Sequence, residues 1–279
     1  MMGATAKPAP SAAHSVLAAL LEARTGQQIA SHRAWRLDTE LTPLLRARGL
    51  ETLDELVAQF LSGHDGQVAD RIVEALLNGE TSFFRDAGTF DLIDQAIGGE
   101  GRVRLWSAGC ATGQEPLSLA MMFAERPGSS AASMPEIVAT DVSESALARA
   151  RAGRYTQFEV QRGLPVRRLM HWFEGNDAEW TVSADLLRHV SYRRMNLVVD
   201  PAPAGQFDMV LCRNVLLYLA APYKRTVFAK IAAALRPGGF LVLGAGETVI
   251  GQTGLFHPSA RYRGLYERTA APVERSRAA

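Results

Sequence analysis

The sequence predicts an α/β protein, a doubly wound and mostly parallel sheet behind a small all-helical amino-terminal domain. Three observations carry that expectation. From residue 102 onward, short apolar runs alternate with helical patterns, as strand–helix–strand units do. Between residues 14 and 78 only helical periodicity appears. The alternating rhythm breaks once, over about 165–190, where WF, EGND and EW read as an insertion.

The amino-terminal stretch MMGATAKPAPSAA (1–13) is small and proline-containing, and is expected to be disordered. In the helical part, Leu53, Leu56, Val57, Phe60 and Leu61 follow the spacing of one buried face, and Val68, Ile72, Val73, Leu76 and Leu77 do something similar. Gly26, Gly49 and GHDG at 63–66 punctuate it. Residues 79–101 then form a linker that contains TSFFRD. In the sheet domain (102–269), VRLWSAG (103–109), EIVATD (136–141), FDMVLCRN (207–214), GFLVLGAGE (239–247) and RYRGLYER (261–268) read as strands. Helices are expected over 116–124, from Ser143 as a cap, and over 222–235. RPGG, with Gly238 as the stop, should end the last of these. The tail 270–279 is again expected to be disordered.

Composition narrows the function classes. The chain has 279 residues, 47% hydrophobic and 21% charged, with 30 Lys plus Arg against 29 Asp plus Glu. Such a balance gives no reason to expect a nucleic-acid partner. Charge is unevenly placed, however. Residues 1–80 hold seven basic and ten acidic side chains, whereas residues 149–168 hold six arginines against Glu159 alone. That basic stretch suggests either an acidic partner surface or a solvated helix face. Cys110 and Cys212 have no metal or redox spacing and read as packing residues of a reducing compartment. No apolar run approaches the ~20 residues of a membrane span, and the VLAALLEA segment lacks a basic start. The cytoplasm is the expected location.

The chemistry concentrates at strand ends. GCATG after the first strand lets backbone N–H groups approach a ligand, although Gly109 and Gly113 match neither a dinucleotide fingerprint nor a phosphate loop. Asp141 ends the second strand, where an acid either accepts both hydroxyls of a ribose or helps cap the next helix. An adenosine-containing ligand without a strong phosphate clamp fits S-adenosylmethionine better than NAD or ATP.

TSFFRD, RLWSAGCATGQEPLSLAM, ATD, RRMNL and FDMVLCRNVLLYL together resemble the CheR-type chemoreceptor glutamate methyltransferases, over roughly residues 15–268. The resemblance implies a class I S-adenosylmethionine-dependent methyltransferase fold with a small β-subdomain as the insertion. It also implies site residues. Thr81 and Arg85 would line the cofactor site, and Gly109, Glu115 and Asp141 would bind cofactor, the last at the ribose. Asn196 and Leu197 would lie near the adenine, Arg213 and Asn214 at the fourth strand end, and Tyr218 close to the transferred methyl. Arg85 and Tyr218 are the two expected at the reacting centre. The family pattern has Asn two residues before the threonine; this chain has Gly79 there and Asn78 beside it.

A carboxylate is already ionised at neutral pH, so its methylation asks for alignment and a dry site, with no general base or metal. Arg85 suits that task, because a guanidinium grips a carboxylate in two-pronged fashion, whether the incoming one or the cofactor's own. A structural salt bridge is the rival role. Phe83 and Phe84 would wall the site or form the seam between two domains. The implied products are a glutamate methyl ester and S-adenosylhomocysteine. The implied partner is the acidic helical bundle of a chemoreceptor's cytoplasmic domain, met by Arg33, Arg36, Arg46 and Arg48 and by the 149–168 stretch, with the protein a monomer. A non-catalytic cofactor-binding module and a methyltransferase for a small carboxylic acid or RNA stand as alternatives.

Overall fold

The computed structural model describes residues 11–97, 103–130, 133–175 and 178–269. The chain divides into two compact units: residues up to 78 together with 218–220, and residues 79–217 with 221 onward. Among the described residues no helix is long and apolar enough to cross a membrane.

The helical unit contains α1 (Ala12–Thr25), α2 (Trp35–Arg48), α3 (Leu53–Ser62) and α4 (Val68–Leu76). Ser11 caps α1, its hydroxyl accepting the His14 N–H at 3.3 Å, so residues 11–13 are structured where disorder was expected. The remainder of that expectation, residues 1–10, lies outside the described residues, as does the tail 270–279. A Thr52–Glu55 capping box starts α3. Leu17, Leu21, Leu37, Leu41, Leu56, Ile72 and Leu76 fill the core. Leu61 is 68% exposed, against its predicted burial. At 3.6 residues per turn it sits roughly 80° round from Leu53, at the margin of the apolar stripe.

The sheet unit runs α5 (Ala87–Ala96), β1 (Arg104–Ala108), α6 (Gln114–Ala124), β2 (Glu136–Asp141), α7 (Glu144–Ala152), β3 (Arg154–Thr156), α8 (Gln157–Gln161), α9 (Val166–Trp172), β4 (Phe173–Gly175), β5 (Glu179–Val182), α10 (Ala184–Leu187), β6 (Val190–Arg194), β7 (Phe207–Cys212), α11 (Ala221–Ala234), β8 (Leu235–Leu243), β9 (Phe256–Pro258) and β10 (Leu265–Arg268). Its main sheet has the order β6-β2-β1-β7-β8-β10-β9. The first five strands in that order are parallel, and β10 runs antiparallel to β8 and β9. Strands buried on both faces read as unbroken apolar runs, and all six residues of β7 are buried. Both thiols, Cys110 and Cys212, are buried, and burial pushes their pKa values well up.

Three expectations change. RPGG does not stop a helix. α11 ends at Ala234, and β8 begins at Leu235 with a bulge that shifts its register against β7. The last strand covers only 265–268, and β9 appears before it, too short to carry a pattern of its own. The insertion is larger than 165–190. It forms a three-stranded antiparallel sheet, β3-β5-β4, that begins at Arg154 because β3 pairs with β5 across the chain.

Candidate active site

In an open parallel sheet, ligands bind beyond the carboxyl ends of the strands where strand order reverses. Here the reversal falls between β1 and β7, and the tips of β6, β2, β1 and β7 lie side by side. After β1 the chain turns sharply at Gly109, whose N–H and that of Cys110 both donate to the Thr140 carbonyl, at 2.8 and 3.0 Å. Gly113 ends the loop at φ +92°, and a Cβ there would stand 2.9 Å from both the Ala150 Cβ and the Tyr192 hydroxyl. Gly113→Ala is therefore expected to lose about 1–3 kcal/mol of stability in a urea titration, from left-handed strain plus crowding.

The Asp141 carboxylate accepts the Ala111 N–H at 2.8 Å and the Ser143 N–H at 2.9 Å. Ser143 itself caps α7, accepting from the Ala146 N–H at 3.0 Å. Asp141 thus ties the glycine loop to the tip of β2, in addition to any ligand it holds.

At the tip of β7, Arg213 is almost wholly enclosed. Its guanidinium donates to Glu115 at 3.1 Å, to the Arg85 carbonyl at 2.7 Å and to the Asp86 carboxylate at 2.7 Å. The second oxygen of Glu115 accepts from the Ser107 hydroxyl at 2.8 Å. So Arg213 and Glu115, expected as separate cofactor contacts, form one network that also fixes the backbone of the TSFFRD segment. Asn214 sits at φ +58°. Glu247, which the sequence reading did not single out, holds it there. Its carboxylate accepts the N–H groups of Asn214 (2.7 Å), Gly244 (2.9 Å) and Leu217 (3.1 Å). Arg213 Nε and Asn214 Oδ1 are buried without a hydrogen-bond partner among the described residues.

Four described residues other than glycine have positive φ: Phe84, Asp86, Ala111 and Asn214. All four lie in the segments that carry the candidate site. Left-handed backbone costs roughly 1–2 kcal/mol per residue and persists where the surroundings over-determine it. The surroundings do so here, since the Phe84 N–H donates to the Ser118 hydroxyl at 3.0 Å and Arg213 grips both Arg85 and Asp86.

Phe83 and Phe84 are both buried in the core of the sheet unit. Phe83 stands edge-on to Tyr155 and Phe173, and Phe84 packs on Phe90 beneath the Arg168 guanidinium. Thr81 and Arg85 are half-buried. Among the described residues Arg85 donates to the Glu80 carbonyl, at 3.4 Å, and joins no ion pair.

Beyond β6, the Asn196 side-chain oxygen accepts the Val198 N–H at 2.9 Å, and the Asn196 N–H donates to Asp200 at 2.7 Å. Lys230 closes this turn from below, donating to the carbonyls of Leu197 (2.6 Å) and Asp200. Tyr218 belongs to the helical unit. There its hydroxyl receives a hydrogen bond from Asn78, the neighbour of Gly79, and its carbonyl accepts the Gln28 N–H at 2.7 Å. The basic stretch 149–168 is largely neutralised, since Arg149, Arg151, Arg162 and Arg168 pair with Glu159, Glu144, Glu80 and Glu125. Four of its six arginines are therefore engaged within the sheet unit.

The strand order, with an antiparallel strand set between the last two, and a glycine loop and acid on neighbouring tips, define a class I S-adenosylmethionine-dependent methyltransferase fold. The pattern of the CheR methyltransferase SAM-binding domain matches residues 79–263. The chain is 36% identical over 241 residues to chemotaxis protein methyltransferase 1 of Pseudomonas aeruginosa, covering 82% of this chain and 87% of that one. It is 34% identical over 248 residues to chemotaxis protein methyltransferase 1 of Vibrio cholerae, covering 85% and 89%. For chemotaxis protein methyltransferase Cher2 of Pseudomonas putida the identity is 33% over 242 residues, covering 83% and 88%. The chain belongs to the CheR methyltransferase family, and S-adenosylmethionine is its methyl donor. The site's chemistry fits that donor. A buried unpartnered donor, Arg213 Nε, and a buried unpartnered acceptor, Asn214 Oδ1, suit a ligand with one carboxylate and one ammonium.

Proposed function

We propose that the protein methylates glutamate side chains on the cytoplasmic domains of chemotaxis receptors. The observation that carries this reading is Arg85, a half-buried guanidinium outside any described ion pair, on a backbone clamped to the tip of β7 by Arg213. When bound, S-adenosylmethionine supplies an electrophilic methyl carbon on a sulfonium. Asp141 and the 109–113 loop would hold its ribose and amino-acid ends, and Asn196 and Leu197 its adenine. Thr81 and Arg85 would face the reacting end. Arg85 presents two parallel N–H groups to a carboxylate and orients one oxygen toward the methyl carbon. The incoming carboxylate is already ionised at neutral pH, so the chain's residues would have only to orient it and keep water out. Nothing on the protein has to act as a base.

The relatives named for chemotaxis support a receptor as the acceptor. Docking then falls to exposed cations of the helical unit. Arg36 and Arg48 are half-buried, and they engage Glu40 (4.0 Å) and Asp65 (2.5 Å). Arg33 and Arg46 are exposed and in no ion pair among the described residues. Reversing both to Glu is expected to lower receptor methylation at least tenfold in low salt, with a smaller effect near 1 M where screening is short-ranged. Unchanged methylation would remove them from the docking surface.

The deciding experiment incubates the protein with receptor cytoplasmic fragments and methyl-labelled cofactor, then locates the label by mass spectrometry. Base-labile label on glutamates is the expected result. Cofactor binding with no transfer would indicate a non-catalytic module. Transfer to free carboxylic acids in the absence of receptor would assign a small-molecule substrate instead.

A further inference from the structure

The inserted sheet reaches the cofactor loop through the side chain of Tyr155. Tyr155, on β3, is buried, and its hydroxyl donates to the Thr112 carbonyl at 2.8 Å. The near end of the loop is held by strand tips, through the Thr140 carbonyl and the Asp141 carboxylate. The far end has an internal turn, Gly113 N–H to the Cys110 carbonyl at 3.0 Å, and the Thr112 hydroxyl bonded to Gln114 at 2.8 Å. The Tyr155 hydroxyl adds the grip on this end that comes from outside the loop and its helix. It also stands 3.3 Å from where a Cβ on Gly113 would lie, so the glycine and the tyrosine fit each other.

The same ring reaches the TSFFRD segment. Its centroid lies 5.1 Å from that of Phe83, edge-on at 75°, and 6.2 Å from that of Phe173 on β4. A second grip is made at Gly163, between α8 and α9, where a Cβ would lie 2.1 Å from the Phe83 carbonyl oxygen. The insertion therefore holds both the segment bearing Thr81 and Arg85 and the loop beyond β1, and Tyr155 touches the two together. Burial pushes the Tyr155 phenol far up, so it remains a donor throughout the working pH range.

We propose that Tyr155 is a positioning residue for the methyl donor, its hydroxyl fixing the Thr112 end of the cofactor loop in register with the segment that carries Arg85. The proposal rests on the cofactor-site reading above. Tyr192 provides an internal control, because its hydroxyl is also buried, lies 2.9 Å from the same Gly113 Cβ position and has no hydrogen-bond partner among the described residues.

The test compares Tyr155→Phe and Tyr192→Phe in the full chain, by calorimetric titration with S-adenosylhomocysteine and by hydrogen exchange of the 110–114 amides without ligand. Tyr155→Phe is expected to raise the Kd about fivefold, what losing one neutral hydrogen bond gives, and to speed exchange at Gly113 and Gln114. Tyr192→Phe should leave both within about twofold, since no bond is lost. A Tyr155→Phe protein that melts earlier yet keeps wild-type affinity and loop exchange would overturn the proposal, leaving a packing role. Equal effects of the two variants on affinity would overturn it as well. Because the exchange measurement uses no ligand, it decides the role of Tyr155 even if wild type bound no S-adenosylhomocysteine, a result that would count against the cofactor-site reading.

Discussion

Arg213→Met is expected to be the most destabilising single change at the site, lowering stability by about 3–5 kcal/mol. Methionine roughly conserves the volume but removes a charge that answers two carboxylates and a carbonyl. Breaking a buried pair by deleting one partner costs about that much because the other charge stays behind, uncompensated. Glu115 retains only the Ser107 hydroxyl, and Asp86 loses its partner while its backbone remains in a left-handed conformation. For a unit of this size each kcal/mol corresponds to about 2–4 °C, so the sheet unit should melt about 6–20 °C lower. Because the strained Phe84–Asp86 turn is released as well, affinity for the donor should fall with it. A double change that also neutralises Glu115 should recover part of the stability, since the stranded charge is then gone. A melting point within 2 °C of wild type would mean that the network contributes little and that the turn is held by packing alone.

How much of this was legible in the sequence follows the range of the interaction. The parallel strands, the Ser143 cap and the acid at the end of β2 announce themselves locally, because alternating periods and cap residues act over a few positions. Asp141, Arg213 and Asn214 could be placed for the same reason, as they end recognisable strands, whereas β6 was not read as a strand and Asn196 and Leu197 were placed by the family resemblance alone. What each tip residue does was less legible. Glu115 and Arg213 meet across 98 positions, Arg213 and Asp86 across 127, and Asn214 and Glu247 across 33. No periodicity marks such partners. A trace of Glu247 was nevertheless present, in the GAGE run at the end of the eighth strand, where a charge just past a buried strand invites the question of what it caps. β3 pairs with β5 some 25 positions away, which is why the insertion appeared shorter than it is. The RPGG misreading has a local cause. Gly238 at φ +74° suits a helix stop and a β-bulge equally, and pairing with β7 decides between them.

Arg85→Ala is the complementary prediction, a large loss of activity with almost no loss of stability. The guanidinium joins no ion pair among the described residues, and its hydrogen bond to the Glu80 carbonyl is long, at 3.4 Å. A surface-like truncation of this kind changes stability by about 0.5 kcal/mol or less. Removing a charged donor that orients a reacting carboxylate costs on the order of 100-fold in rate. The expected result is thus a receptor methylation rate about 100-fold down, with a melting curve that overlays wild type. Arg85→Lys should recover only a fraction, because a single ammonium cannot reproduce the two-pronged grip. Titration with S-adenosylhomocysteine then divides the two roles open to the residue. If Arg85 holds the incoming glutamate, product affinity stays within about threefold while the receptor KM rises. If it holds the cofactor's own carboxylate, the Kd rises by a factor comparable to the loss in rate. Methylation retained within twofold would remove Arg85 from both roles. The strained Phe84–Asp86 turn would then serve to seat the two phenylalanines, with the arginine that follows them incidental to the reaction.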